Sequence, residues 1–120
     1  MNVLVDTSIW IDHIKKPFEP LVFLLNNGQV LAHKWITGEL ALGTFKEREA
    51  FLRNLNLLPL APELSIDELL NFIEINSLRG MGIGLVDIQI LASAKLSDAA
   101  ILTRDKALQV AMAKLKILSA

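Results

Sequence analysis

Residues 3–10 read VLVDTSIW: three branched apolar residues that stop on Asp6, two hydroxyl residues, and then a second apolar pattern. Three consecutive apolar residues without polar alternation suit a strand covered on both faces, the habit of parallel sheets. A charge at the end of such a strand is costly, so Asp6 needs a partner, a helix-capping role or a chemical task.

Outward from this stretch the same figure repeats. Strand patterns fall at Asn2–Val5, Gln29–Ala32, Asn56–Leu60, Ala99–Thr103 and Lys116–Leu118. Helical patterns fall at about 8–15, 20–27, 35–42, 46–54, 65–77, 85–96 and 106–113. The alternation predicts an α/β protein of three layers (α/β/α), with a central, mostly parallel five-stranded sheet and one domain over residues 1–120. Pro59 and Pro62 frame the Asn56–Leu60 strand, and proline fits best on an edge or at a strand end.

In a parallel sheet the carboxyl ends of all strands share one edge, and the first turns of the crossover helices lie there too. Asp6 follows the first strand, and Asp105 lies just past the fourth in ILTRD. Glu39, in WITGELALG, and Asp87, in GLVDIQILASA, sit in early turns of helices. Apolar neighbours (Ile36, Leu40 and Leu42 for Glu39; Ile90 and Leu91 for Asp87) predict that both acids project inward. Glu47, Glu49, Glu63, Asp67, Glu68 and Glu74 sit among polar residues and read as solvated surface or caps.

Two carboxylates about 4 Å apart repel by roughly 4 kcal/mol at an effective dielectric near 20, so four on one rim need protonation or a divalent cation. Oxygen ligands without His or Cys suit Mg²⁺ or Mn²⁺. Such a centre serves phosphodiester hydrolysis.

Composition narrows the alternatives. The 120 residues contain no cysteine, which excludes disulfides, thiolate zinc sites and cysteine nucleophiles. With 12 basic and 13 acidic residues, the net charge of −1 gives no general attraction to nucleic acid or anionic membranes. No leader pattern and no apolar run of about 18 residues is present, so a soluble, cytoplasmic protein without a membrane role is expected. Hydrophobic residues make up 52%, a surplus that suits a dense core, a dimer seam or a partner groove.

VDTS after the first strand, the Glu in WITGELALG, the Asp in GLVDIQILASA and the closing TRDKAL together resemble the PIN-domain ribonucleases. The likeness covers essentially the whole chain and is strongest to the VapC-type toxins of prokaryotic toxin–antitoxin pairs. It implies a metal-dependent endoribonuclease, with Asp6 and Asp87 as central ligands of Mg²⁺ or Mn²⁺ and Glu39 and Asp105 completing the rim and orienting water. It further implies a homodimer, an antitoxin that occludes the acidic site, and a structured RNA substrate of the tRNA or rRNA class. Before Glu39 the chain reads LAHKWIT, where many members carry small hydroxyl residues, which weakens any role for a hydroxyl there.

Around the acids, Ser8 and Thr7 are candidates for capping the first helix and for holding an Asp6 oxygen. Thr103 is a candidate auxiliary contact, and Arg104 a candidate partner for a carboxylate or a substrate phosphate. Asp105 also has the position of a cap for the helix at Lys106. The run RGMGIG lacks the Lys-Ser/Thr ending of a phosphate loop and reads as a tight turn before the Asp87 helix. His13 and His33 read as partly exposed, and Trp10 and Trp35 as core or interface. A signalling receiver domain is disfavoured, because LNLLPLAP lacks a phospho-acceptor Asp and Thr103-Arg104-Asp105 stands where Lys-Pro is needed. An inactive PIN-like binding module is the other alternative.

Overall fold

The stretch VLV forms β1 (Val3–Val5), the middle strand of a parallel sheet, in a computed structural model that describes residues 1–120. After it come α1 (Thr7–Lys15), α2 (Glu19–Asn26), β2 (Val30–Leu31), α3 (Lys34–Ala41) and α4 (Arg48–Leu55). Then follow α5 (Ile66–Asn76), α6 (Leu85–Ser97), β3 (Ala100–Leu102) and α7 (Lys106–Leu115). β1 pairs with β2 through Val3–Val30 and Leu4–Leu31, and with β3 through Val3–Ala100, Leu4–Ile101 and Val5–Leu102. Every residue of the three strands is buried, so both faces of the sheet are covered.

The expected third and fifth strands, Asn56–Leu60 and Lys116–Leu118, shrink to single parallel bridges, Leu60 with Ala32 and Ser119 with Ile101. Both bridges are parallel, as the sequence predicts; the length of pairing is not as predicted, and the second bridge falls one residue past the expected Lys116–Leu118. On one edge Ala32 donates to the Pro59 carbonyl (2.9 Å) and accepts from Ala61 (2.8 Å), but Pro59 and Pro62 have no N–H with which to extend a ladder. On the other, Lys116 adopts a left-handed conformation (φ 59°) at the end of α7, so pairing starts only at Leu118, whose carbonyl accepts from Ile101 (2.9 Å).

All seven helices start and stop within two residues of their expected positions. Local chemistry explains the clearest start: Ser65 and Glu68 exchange side-chain and backbone hydrogen bonds (2.8 and 3.2 Å) at the head of α5. α6 is the most deeply set helix, with Ile88 through Ala94 all buried, which fixes the position of Asp87 at its first turn. Gly80 and Gly82 both hold φ of +75°, a conformation that favours glycine and brings the chain tightly round into α6. A connected core of 29 buried apolar residues joins the sheet to the helices.

One histidine departs from expectation. His33 is fully buried (0% exposed) rather than partly exposed, because its ring is the cap of α3. Nδ1 accepts from the Trp35 N–H (3.1 Å), which leaves the proton on Nε2, 3.2 Å from the Pro62 carbonyl. Burial holds its pKa below the ordinary histidine value. Beside it the buried Gln89 accepts from the Leu64 N–H (2.7 Å) and donates to the Leu64 carbonyl (3.1 Å). The two side chains strap the segment before α5 to α3 and α6. Trp10 is in the core, while Trp35 is half-buried with its indole N–H on Glu63 (2.9 Å).

Candidate active site

Asp6 stands at the carboxyl end of β1, where its N–H still pairs with the Leu102 carbonyl (3.0 Å). It occupies the cap position of α1, yet its carboxylate makes no capping bond. Instead one oxygen, Oδ2, accepts from both Thr103 Oγ1 (2.7 Å) and Ser8 Oγ (2.9 Å). The carboxylate is thereby turned away from the helix amides and held in one orientation, with Oδ1 free of protein donors. At 6% exposure, this is a buried charge with no basic partner.

Asp105 does cap: its Oδ1 accepts from Leu108 N–H at the head of α7 (3.1 Å). Its own N–H donates to Thr103 Oγ1 (3.0 Å), so a single hydroxyl ties the backbone at Asp105 to the carboxylate of Asp6. Asp87 lies in the first turn of α6 and accepts from Gly84 N–H (3.0 Å). Glu39 departs from expectation, since it is exposed on α3 rather than inward. Its Oε1 accepts from Thr7 Oγ1 (2.6 Å), which brings α3 and α1 together at the rim.

The electrostatics show that these four acids share one region. Burial raises the Asp87 pKa above the usual carboxylate value; the charges of Asp6, Asp105 and Glu39 push the same way, and only the Gly84 N–H opposes them. No Lys or Arg acts on Asp87, and the charge of Arg104 is felt at Asp6 instead. No three His, Asp or Glu side chains approach closely enough to close a metal cage by themselves. An oxygen-only, uncompensated and loosely spaced donor set fits Mg²⁺ or Mn²⁺, because Mg²⁺ keeps several waters and takes only one or two carboxylates.

The sequence missed two partnerships at this rim. Thr7 was a candidate for Asp6 or the helix cap, and it holds Glu39 instead. Asp12 was not singled out; it receives Arg104 through Nε (2.7 Å) and Nη2 (3.1 Å), and that hydrogen bonding holds its carboxyl below the usual range. The partners are 92 residues apart, and nothing in local pattern announces such a pair.

Comparison with known proteins is consistent with this geometry. The PIN domain family model matches residues 3–114. Ribonuclease VapC32 of Mycobacterium tuberculosis is 40% identical over 113 residues, covering 93% of this chain and 91% of that protein. Among solved structures, VapBC-1 from nontypeable Haemophilus influenzae superposes with a TM-score of 0.74 at 15% identity, over 100% of this chain and 97% of that one. FitAcB from Neisseria gonorrhoeae gives 0.63 at 19% identity, over 98% and 95%. At these identities the two structures speak for the fold alone.

Proposed function

This chain belongs to the PIN-domain family as a VapC-type ribonuclease, the toxin of a toxin–antitoxin pair, and we propose that Asp6, Glu39, Asp87 and Asp105 are the acids with which it cuts RNA. The observation that carries the assignment is the surroundings of Asp87, where burial and three like charges act together with no cation to relieve them. Asp6 and Asp87 would hold Mg²⁺ or Mn²⁺, with Glu39 and Asp105 completing its surroundings. When bound, the ion would supply Lewis-acid polarisation of the phosphoryl group and make a nearby water easier to deprotonate.

The chain's own residues do the remaining work. Thr103 and Ser8 fix Asp6 through Oδ2 and keep Oδ1 available to a ligand. Thr7 fixes Glu39, whose carboxylate orients water at the exposed side of the rim. Asp12 uses two of the five guanidinium N–H donors of Arg104, and the others are free to meet a phosphate oxygen of the substrate.

The substrate is a structured RNA of the tRNA or rRNA class, and a cognate antitoxin covers the acids. That pairing follows from the likeness to Ribonuclease VapC32, 40% identical over nearly the whole chain. Phe23, Leu42, Leu57, Ile75 and Leu96, from 64% to 88% exposed, supply apolar surface for the antitoxin and for a homodimer. We read residues 1–120 as one PIN domain that works in the cytoplasm, as its likeness to the VapC-type ribonucleases implies.

The test is cleavage of total cellular RNA with Mg²⁺ or Mn²⁺ and with EDTA, beside Asp6→Asn and Asp87→Asn purified identically. Cutting should require metal and vanish in both variants. Equal behaviour of all three proteins would overturn the assignment and favour an inactive binding module.

A further inference from the structure

Next to the acids, a cavity of about 330 Å³ opens between α1 and α3. Ile11, Ile14, Leu40 and Phe45 supply its apolar wall, and Lys15 and Glu39 its charged lining. The volume is within the range of small-ligand sites, roughly 300–1,000 Å³. Glu39 belongs to both places: it lines this cavity and its charge acts on Asp87. Whatever enters the cavity therefore lies beside the acid rim.

The cavity is formed in advance of any ligand. Arg48 donates through Nε to the carbonyls of Ala41 and Gly43 (both 3.2 Å) and through Nη2 to Ala41 (2.6 Å), which locks the turn that leads to Phe45. The Phe45 ring rests edge-to-face on Phe51 (5.6 Å, 87°), and Phe51 on Trp10 in the core (5.8 Å, 82°). An aromatic ring fixed from behind in an apolar slot offers an unstacked base the kind of surface on which single-stranded RNA is held.

Charge selects among occupants. A basic protein segment suits the acids but meets Lys15, and an acidic one suits Lys15 but meets Glu39. An RNA strand satisfies both, since its neutral base can enter the apolar slot while its phosphates lie toward Lys15. Such an anchor also answers a difficulty of the rim itself: four carboxylates repel a polyanion, and a net charge of −1 supplies no general attraction.

We propose that this cavity receives one unstacked nucleobase of the RNA substrate, adjacent to the bond that is cut, and thereby sets a base preference. The inference rests on the ribonuclease assignment above. Gly43→Leu tests it by filling the space: an added Cβ would lie 3.5 Å from the Leu40 carbonyl and 3.7 Å from Phe45 Cδ1, ordinary contacts that the fold accommodates. Phe45→Leu removes the ring by a second route, and neither residue is one of the acids.

A random-sequence RNA pool is cut with Mn²⁺ present and the new ends are sequenced. Wild type should show a base preference at one position beside the cut, and both variants should lose about tenfold of it there while still cutting. A wild type without any preference, or variants that keep it at every position, overturns the proposal. A second arm needs no cleavage: Asp6→Asn protein in EDTA is irradiated with RNA containing 4-thiouridine. Crosslinks within 11–15 or 43–45 support the base site, whereas crosslinks confined elsewhere overturn it and leave the cavity to a protein partner. Crosslinks at the cavity in a protein whose wild type cuts no RNA would instead sink the catalytic assignment alone.

Discussion

Two polar regions of this molecule are set into apolar surroundings, and they are built on opposite rules. In the strap, His33 and Gln89 are fully buried and each of their hydrogen-bonding groups has a partner, on Trp35, Pro62 and Leu64. At the rim, Asp6, Glu39, Asp87 and Asp105 are also individually tied, yet like charge accumulates around Asp87 without a cation to relieve it. Satisfied burial stabilises a fold; unrelieved like charge costs stability and creates demand for a ligand. On the function proposed above, the first region serves structure and the second chemistry.

The contrast breaks if strap and rim variants fail in the same way. Gln89→Leu should have the largest effect, since it orphans the N–H and the carbonyl of Leu64 inside the core. A loss of about 3 kcal/mol is expected, read by urea unfolding, with activity per folded molecule unchanged. Lost activity in protein that remains folded would show that the strap takes part in function.

Thr103→Val should do the reverse. It keeps the shape of the side chain and removes the shortest hydrogen bond to Asp6. Mn²⁺ affinity measured calorimetrically should fall about 10- to 100-fold, while the melting temperature changes little. Unchanged affinity would remove Thr103 from the centre.

Acid should loosen the strap specifically. Burial depresses the folded-state pKa of His33, so the unfolded chain binds more protons once pH falls below the ordinary histidine value of about 6.5. Stability is therefore complete above that value and declines below it, by at most about 1.4 kcal/mol per pH unit for one proton. His13, also depressed by burial, adds to the same slope. His33→Asn, which retains a capping side chain, should flatten the decline in melting temperature between roughly pH 7 and 5 measured in EDTA. An unaltered slope would place the effect elsewhere.

The smallest effect sharpens the contrast most. Because its surroundings raise the Asp87 pKa, the charged form costs the metal-free fold stability at neutral pH. Asp87→Asn keeps an acceptor for Gly84 N–H and should raise the melting temperature in EDTA by a few degrees, for roughly 1 kcal/mol or less after solvent screening. Mn²⁺ should then stabilise wild type and leave the variant unmoved. A variant less stable than wild type in EDTA would mean that Asp87 is structural.

How far all this was legible depends on the reach of each interaction. VLV, VLA and AIL mark buried parallel strands by composition alone, and the acids placed just after them or at helix starts follow from that order. Strand length was misjudged where backbone chemistry overrode pattern, at Pro59 and Pro62 and at the left-handed Lys116. Apolar neighbours made Glu39 look inward, but α3 turns it to the exposed rim, where Thr7 meets it. His33 looked ordinary because its worth as a cap depends on Pro62, 29 residues away.

The sequence by itself determined the parallel α/β order and the four acids on one edge, because periodicity, proline placement and position along a strand are local properties written in consecutive residues. Only the tertiary structure decided that the Asp6 carboxylate leaves its helix amides for Thr103, that Thr7 serves Glu39, and that Arg104 is forked on Asp12. Those choices join residues 97, 32 and 92 positions apart. They are made by the register of β3 against β1 and by the packing of α3 on α1, which bring side chains within hydrogen-bond reach that no local pattern connects.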